Sequence, residues 1–434
     1  MEASVLIPLL REGGRQQTST PHRSQVLTMV LFEWLIGDDH DEQPLHQVLL
    51  IVLLLQYHNS IRDRHMLHRS AILQPQRSPW RKLFESGDES SFLHMTGLTR
   101  RAFQSLLGYL FDLEKITRHR KRGRPRSLSP DGYLGLLLFY LGSKMNYSHI
   151  CLIFGITPSV CSRAINMMLK RTVQLLRDHP LAKVEFPGEA KMRDFASMVQ
   201  RREPMVDDII GFMDGVSFPV QCTDERLAQN AMYCGYDCDT MVNNVFAYGP
   251  DGKVFFAAVN FPGSWADGSL TARFLPYMKR KLGEYKICVD QGFPQSGDEH
   301  GIFVGPIAKR QAQRLHRDVR NYLLKISNIH TSLRQASEWG MRGLQGTFPR
   351  CKSRLPSDSA LRRLVIEAII LVHNFRTDYV GYSQIKTVFD REYVRCENLH
   401  GYDRIAQYYF RPGDYDSDVD EIMDGGRSDD NSDN

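Results

Sequence analysis

The sequence has no hydrophobic run long enough to cross a bilayer. Its longest apolar stretch, residues 48–55, is far shorter than the roughly 20 residues that a membrane-spanning helix needs. The N-terminus also lacks the charged and then apolar order of a signal peptide. These absences predict a soluble, intracellular protein without a membrane partner.

Cysteines are few and scattered. The chain has 8 of them and no CxxC pair. Cys222, Cys234 and Cys238 come closest to a zinc-binding spacing, but no fourth ligand follows at a suitable distance. The sequence therefore predicts reduced thiols rather than a structural zinc site.

Charge is distributed unevenly along the chain. The formal net charge is +5, yet residues 414–434 hold nine acidic side chains and one arginine, so the rest of the chain carries +13. A net positive charge of this size on residues 1–413 indicates a polyanionic partner. The acidic end has too little apolar surface to offset the entropy of ordering, and we expect a disordered tail over residues 401–434.

Two strand-like segments each run into an aspartate. Residues 209–213 precede Asp214 and residues 285–289 precede Asp290, while Glu338 lies on a helical stretch downstream. Apolar runs closed by Asp-Gly or Asp-X-Gly are typical of buried strands that stop at a sheet edge, with the carboxylate at the rim. The alternative is structural: Asp-Gly also suits a turn, and Glu338 could pair with Arg334 or Arg342 one helical turn away.

Carboxylates gathered at a sheet edge are suited to hard cations. Mg²⁺ takes a few carboxylates and keeps waters and phosphate oxygens as its other ligands. Two ions about 4 Å apart can clamp the attacking and leaving oxygens of a phosphodiester. The order strand-Asp, strand-Asp, helix-Glu therefore predicts Mg²⁺- or Mn²⁺-dependent chemistry on nucleic acid, with two ions and with Asp214, Asp290 and Glu338 as candidate ligands. Glu367, on a predicted helix over 361–372, is the rival for the third position.

Several short motifs occur in a recognisable order. They are Met213-Asp214-Gly215, Tyr233-Cys234-Gly235-Tyr236, Pro250-Asp251-Gly252-Lys253, Pro262-Gly263-Ser264-Trp265-Ala266-Asp267, Val289-Asp290-Gln291-Gly292-Phe293-Pro294, the segment around Glu338, and Val372-His373-Asn374-Phe375. With this order and spacing, the chain from about residue 92 to 375 resembles PIF/Harbinger-type transposases with a DDE nuclease domain.

The resemblance implies an RNase H-like nuclease fold with Asp214, Asp290 and Glu338 as the metal-binding catalytic triad and Asp267 in an auxiliary role. It also implies a separate Myb-like partner protein encoded by the same element. One departure is visible: the family commonly has His-Asp after the Gly-Ser element, and here Ala266 precedes Asp267.

A basic cluster lies upstream of the predicted nuclease. Residues 118–126 include seven basic side chains. The cluster has three interpretations: a nuclear-localisation signal, an arm for the minor groove, since Arg-Gly-Arg-Pro resembles the core of an AT-hook, or a solvated linker. The candidate DNA contacts are Arg120, Lys121, Arg122, Arg124 and Arg126.

Three helices are predicted after this cluster, over 134–141, 147–154 and about 159–176. Gly155-Ile156-Thr157-Pro158 between the last two gives a helix-turn-helix layout. In that arrangement the early residues of the third helix face the major groove; they are Ser159, Ser162, Arg163 and Asn166. The alternative is an ordinary helical bundle.

These features predict four regions. They are 1–75, partly disordered with one apolar helix; 76–185, a helical DNA-binding region with the basic arm and helix-turn-helix; 186–400, the nuclease; and 401–434, the tail. The fold class is an α/β RNase H-like catalytic domain, a mixed sheet flanked by helices, preceded by an all-α helix-turn-helix domain. Within the sheet, residues 243–248 and 254–259 form a predicted hairpin.

The function predicted from these regions is a nuclear, metal-dependent DNA endonuclease or transposase. It would cut transposon ends in duplex DNA and join 3′-OH ends to target DNA, and it would act as a homo-oligomer because two ends must meet in one complex. The alternative is a domesticated, catalytically inactive DNA-binding protein.

Overall fold

The structure is a computed structural model that describes residues 48–49, 51–57, 67–111, 127–293, 301–307, 313 and 316–390, apart from the side chains of residues 267, 317 and 318. The chain divides into two compact units, Met1–His68 and Arg69–Asn434. In the first unit, residues 48–49 and 51–57 are helical, with most of their side chains exposed. The three candidate metal ligands, Asp214, Asp290 and Glu338, belong to the second unit.

The second unit begins with helices. The early ones have side-chain caps: Ser78, Asp88 and Thr99 each accept a hydrogen bond from a backbone N–H of the following turn. The helices before the sheet are α1 (Pro79–Ser86), α2 (Glu89–Thr96), α3 (Arg100–Leu110), α4 (Pro130–Leu141), α5 (Tyr147–Phe154), α6 (Pro158–Leu176) and α7 (Glu189–Arg202).

The three helices predicted over 134–176 all form. Helix α5 has the predicted bounds, α6 begins one residue early at Pro158, and α4 begins four residues early at Pro130. Proline is well suited to a first helical turn because its missing N–H would have no partner there. Between α5 and α6, Gly155 has a φ of 67°, the left-handed conformation that ends a helix most easily at glycine.

A mixed sheet follows these helices. Its strands are β1 (Ile209–Pro219), β2 (Tyr233–Cys234), β3 (Asp239–Tyr248), β4 (Val254–Pro262), β5 (Lys286–Val289) and β6 (Phe303–Val304). Strand β3 pairs antiparallel with β1, β2 and β4, whereas β5 runs parallel to β1 and to β6. Across the sheet the order is β2-β3-β1-β5-β6, and β4 also pairs with β3. The predicted hairpin over residues 243–248 and 254–259 is confirmed.

Helices flank the sheet. The later ones are α8 (Arg226–Met232), α9 (Asp267–Leu282), α10 (Arg317–Thr347), α11 (Ser359–Tyr379) and α12 (Gln384–Phe389). Buried side chains of α7 and α9 share one core cluster with β1, β3 and β5. The predicted mixed sheet flanked by helices is confirmed, and it is consistent with an RNase H-like DDE domain.

A buried asparagine ties α11 to the sheet. Asn374 Oδ1 accepts a hydrogen bond from the Val254 N–H at 2.8 Å, and its Nδ2 donates to the Val254 carbonyl, also at 2.8 Å. The side-chain amide therefore pairs with the first residue of β4 much as another strand would. This contact accounts structurally for Asn374 in the Val-His-Asn-Phe motif.

Within the described ranges, no single helix is long and apolar enough to cross a membrane. The pair α5 and α6 passes the same length and composition test together, but it is bent by 93° at the intervening break.

Candidate active site

The sheet brings the two predicted aspartates side by side. Met213 on β1 pairs with Val289 on the parallel strand β5. The residues that follow this pair, Asp214 and Asp290, therefore occupy equivalent positions along the two strands. Asp290 directly follows the end of β5, as predicted. Since parallel neighbours point their carboxyl ends the same way, the two carboxylates share one edge of that strand pair.

The prediction that β1 stops at Asp214 is wrong. Strand β1 continues to Pro219, and Asp214 pairs with Phe246 in the middle of the β1–β3 ladder. Asp214-Gly215 is therefore strand and not turn, because β3 supplies antiparallel partners well beyond the point where β5 ends. Asp214 lies within the β1–β3 ladder, and the residues before and after it, Met213 and Gly215, are also paired with β3. Its Oδ1 accepts a hydrogen bond from the Gly215 N–H at 2.8 Å.

Helix α10 carries the predicted third carboxylate to this edge. Its Gly340 lies against the ring of Tyr248 on β3, and this close approach fixes the helix on the sheet two residues after Glu338. One turn before Glu338, Arg334 joins the two elements: its Nη2 lies 2.8 Å from Glu338 Oε1 and its Nε 3.7 Å from Asp290 Oδ1.

The electrostatics of Asp214 connect it with the other two acids. Burial raises the pKa of Asp214 to about 6. This value is a balance: burial and the negative charges of Asp290 and Glu338 raise the pKa, whereas the Gly215 N–H and the Arg334 guanidinium lower it. Asp214 therefore lies within electrostatic range of both other carboxylates and of the arginine that pairs with them.

The donor chemistry of this site suits a hard divalent cation. Three carboxylates supply oxygen ligands of the kind that Mg²⁺ and Mn²⁺ take, and their mutual repulsion around Asp214 is what a cation would relieve. In the part of the chain that the structure describes, however, no three His, Cys, Asp or Glu side chains already form a metal-binding group. The positive charge that contacts Asp290 and Glu338 belongs to Arg334.

Residues 213–374 match the family model of the DDE superfamily endonuclease. The match begins one residue before Asp214, ends at Asn374, and contains all three carboxylates. It supports assignment of this region to the DDE superfamily, whose members generally use divalent metal ions. No curated protein and no solved structure gives a match.

The loop that precedes α9 is ordered by a residue that the sequence analysis missed. Asn243 Nδ2 donates to the Trp265 carbonyl at 2.8 Å, and Ser217 Oγ donates to Asn243 Oδ1 at 2.7 Å. Asp267 is the first residue of α9, and its side chain lies outside the description, so its auxiliary role stays a prediction. The signal available in the sequence was the polar pair Asn243-Asn244 inside an otherwise apolar strand.

The rival acid, Glu367, has other partners. Its Oε2 lies 2.6 Å from Arg177 Nη2 and its Oε1 2.8 Å from Arg363 Nε. All three side chains line a cavity of about 820 Å³ beside β4 and α11. Glu367 is not among the charges that act on Asp214. The structure therefore places Glu338, and not Glu367, with the two aspartates.

The predicted helix-turn-helix residues lie on one surface upstream of residues 213–374. Helices α5 and α6 meet at 93°, close to the angle usual for this motif. Ser159, Ser162 and Arg163 are exposed and Asn166 is half-buried, whereas the opposite side of α6 is buried and packs against α11. The basic residues Arg120, Lys121, Arg122, Arg124 and Arg126 lie outside the described residues, and DNA contact by either set stays a prediction.

Proposed function

We propose that this protein is a divalent-metal-dependent DNA endonuclease and transposase of the PIF/Harbinger type. The observation that carries the proposal is the meeting of Asp214, Asp290 and Glu338 around Arg334 at one edge of the β1–β5 pair. The three acids come from separate parts of the chain: strand β1, the residue after β5, and helix α10. The match to the DDE superfamily endonuclease supports the same reading.

In this proposal Asp214, Asp290 and Glu338 hold the metal, with two ions expected. Bound Mg²⁺ or Mn²⁺ would supply positive charge at the scissile phosphate and activate the attacking water or 3′-OH. The protein contributes positioning: Asp214 is fixed inside a paired strand, and Glu338 is fixed by the contact of α10 with Tyr248. Such preorganised charge is a large part of catalysis in phosphoryl transfer.

Duplex DNA is the proposed substrate. The exposed face of α6, with Ser159, Ser162, Arg163 and Asn166, would enter the major groove. The basic cluster over 118–126 would contact phosphates or a narrow minor groove and would also direct the protein to the nucleus. A homo-oligomer and a Myb-like partner protein belong to the same proposal, since two transposon ends have to be recognised and joined.

The experiment is a cleavage assay with purified protein and a labelled duplex that carries the element's own terminal repeat. Reactions contain Mg²⁺, Mn²⁺ or EDTA, with wild-type protein and Asp214→Asn in parallel. We expect nicking at the repeat boundary that requires metal and disappears in the variant, while circular dichroism shows that the variant is folded. Cleavage by Asp214→Asn at the wild-type rate would contradict the proposal.

A second candidate function is a domesticated, inactive DNA-binding protein. It is favoured by Ala266, which stands where the family that the chain resembles commonly has histidine. The same assay separates the two candidates. Binding to the terminal repeat without cleavage, even after addition of the Myb-like partner, would favour the second.

A further inference from the structure

Arg334 is placed differently from an ordinary surface arginine. It makes an i,i+4 pair with Glu338 on its own helix and a second ion pair with Asp290, which follows β5. Its side chain is 25% exposed, and its charge also acts on Asp214. A single guanidinium thus interacts with all three carboxylates that we propose as metal ligands.

Three carboxylates in one site repel one another unless a cation lies among them. The guanidinium supplies one positive charge. Its Nη2 lies 2.8 Å from Glu338 Oε1, and its Nε forms a longer ion pair with Asp290 Oδ1 at 3.7 Å. A metal ion would otherwise use these oxygens as ligands.

We propose that Arg334 is the resident counter-ion of the carboxylate site, and that a divalent ion has to displace its guanidinium in order to bind. The inference rests on the proposed function, because it takes the three acids as metal ligands. Its consequence is that the guanidinium and the metal ion compete for the same carboxylates. Arg334 stabilises the three acids when no metal is bound, and it weakens the binding of the metal. A purely structural arginine would stabilise the site in both states and would not compete.

The test measures binding of Mn²⁺ alone, without DNA, by isothermal titration calorimetry on the full chain. The variants are Arg334→Gln, which removes the charge, and Arg334→Lys, which keeps it. The matched control is Arg342→Gln, one turn beyond Glu338 on the same helix and exposed. Asp214→Asn reports whether the observed binding belongs to the carboxylate site.

We expect Arg334→Gln to lower the Kd for Mn²⁺ by about tenfold, the scale for removing one charge from a partly exposed ion pair. Arg334→Lys and Arg342→Gln should stay within about threefold of wild type, since each keeps a cation among the acids. In thermal denaturation, Arg334→Gln should have a lower Tm without metal and a larger rise in Tm with Mn²⁺ than wild type, because the repulsion is then relieved only by the ion.

Each other outcome has a defined meaning. An unchanged or higher Kd in Arg334→Gln, or an equal gain in Arg334→Lys, would overturn the competition while leaving the metal site intact. Binding that Asp214→Asn does not reduce would instead overturn the proposed function, because the ions would lie elsewhere. Tight binding by Arg334→Gln where wild type binds weakly or not at all would support the inference directly.

Discussion

Gly340 on α10 lies directly against the ring of Tyr248 on β3. A Cβ at position 340 would approach three ring atoms of Tyr248 to 2.8 Å. Tyr248 is fully buried and its hydroxyl contacts the Met341 sulfur at 3.5 Å, so the ring has little room to move. This contact sets the distance between helix and sheet, and Glu338 is only two residues away.

Gly340→Ala should therefore push α10 away from the sheet. We expect a loss of about 1–3 kcal/mol in the free energy of unfolding, the usual range for overpacking a core, together with a marked loss of cleavage. The matched control is Gly343→Ala on the same helix, where nothing lies within 4 Å of the added methyl group. That variant should gain roughly 0.5–1 kcal/mol from helix propensity and keep its activity. Urea denaturation measures the free energy of unfolding, and the cleavage assay measures activity. Equal stability of the two variants would show that the close contact between Gly340 and Tyr248 does not constrain the helix.

The assignment of the third carboxylate can be tested with two conservative changes. Glu338→Gln should lower the cleavage rate by at least about 100-fold, the scale for losing one group that stabilises charge in the transition state. Glu367→Gln should stay within about twofold of wild type, because Glu367 pairs with the exposed arginines Arg177 and Arg363 away from the site. The reverse result would identify Glu367 as the ligand.

His373 should make stability depend on pH. It is buried on α11 beside Tyr248. Burial, followed by the charge of Arg376, lowers its pKa to about 4, against a smaller opposing effect of the Gly252 backbone. In the unfolded chain the pKa is about 6.5, so the unfolded state binds the proton more readily.

The stabilising effect of the neutral His373 is thus complete above pH 6.5 and is lost as the pH falls towards 4. The loss should reach up to about 3 kcal/mol in the free energy of unfolding. Urea denaturation of wild type and His373→Leu between pH 7.5 and pH 4 measures this component as the difference between their slopes. Parallel curves for the two proteins would show that His373 does not contribute.

Two neighbouring arginines on α11 should differ widely in their effect on stability. Arg362 is buried and donates to Asn260 Oδ1 at 2.6 Å and to the carbonyls of Ser357 and Pro356 at 2.8 and 3.0 Å. Arg362→Met would leave these acceptors without their donor, and we expect a loss of about 3 kcal/mol.

Arg363→Met is the control for Arg362→Met. The Arg363 side chain is 61% exposed and forms an i,i+4 pair with Glu367, so its removal should cost under about 1 kcal/mol. Chemical denaturation of both variants at neutral pH is sufficient for the comparison. Similar losses in the two would mean that the buried hydrogen bonds of Arg362 do not stabilise the fold.

Local sequence determined much of the secondary structure. Alternating and continuous apolar runs predicted β1, β3, β4 and β5, and the turn around Gly252 predicted the β3–β4 hairpin. Ser78, Asp88, Thr99 and the proline at the start of α6 mark helix starts that depend only on neighbouring residues. Such signals are readable because capping and periodicity act over a few positions along the chain.

Only the tertiary structure decided how these pieces meet. Whether β1 stops at Asp214 depends on how far β3 extends beside it, and that pairing joins residues far apart in sequence. The choice of Glu338 over Glu367 depends on which face of each helix packs on the sheet. The roles of Arg334, Asn374 and Gly340 are likewise set by partners in other elements. The residue types of the site could be read from the sequence, but the spatial arrangement that joins them arises from long-range packing.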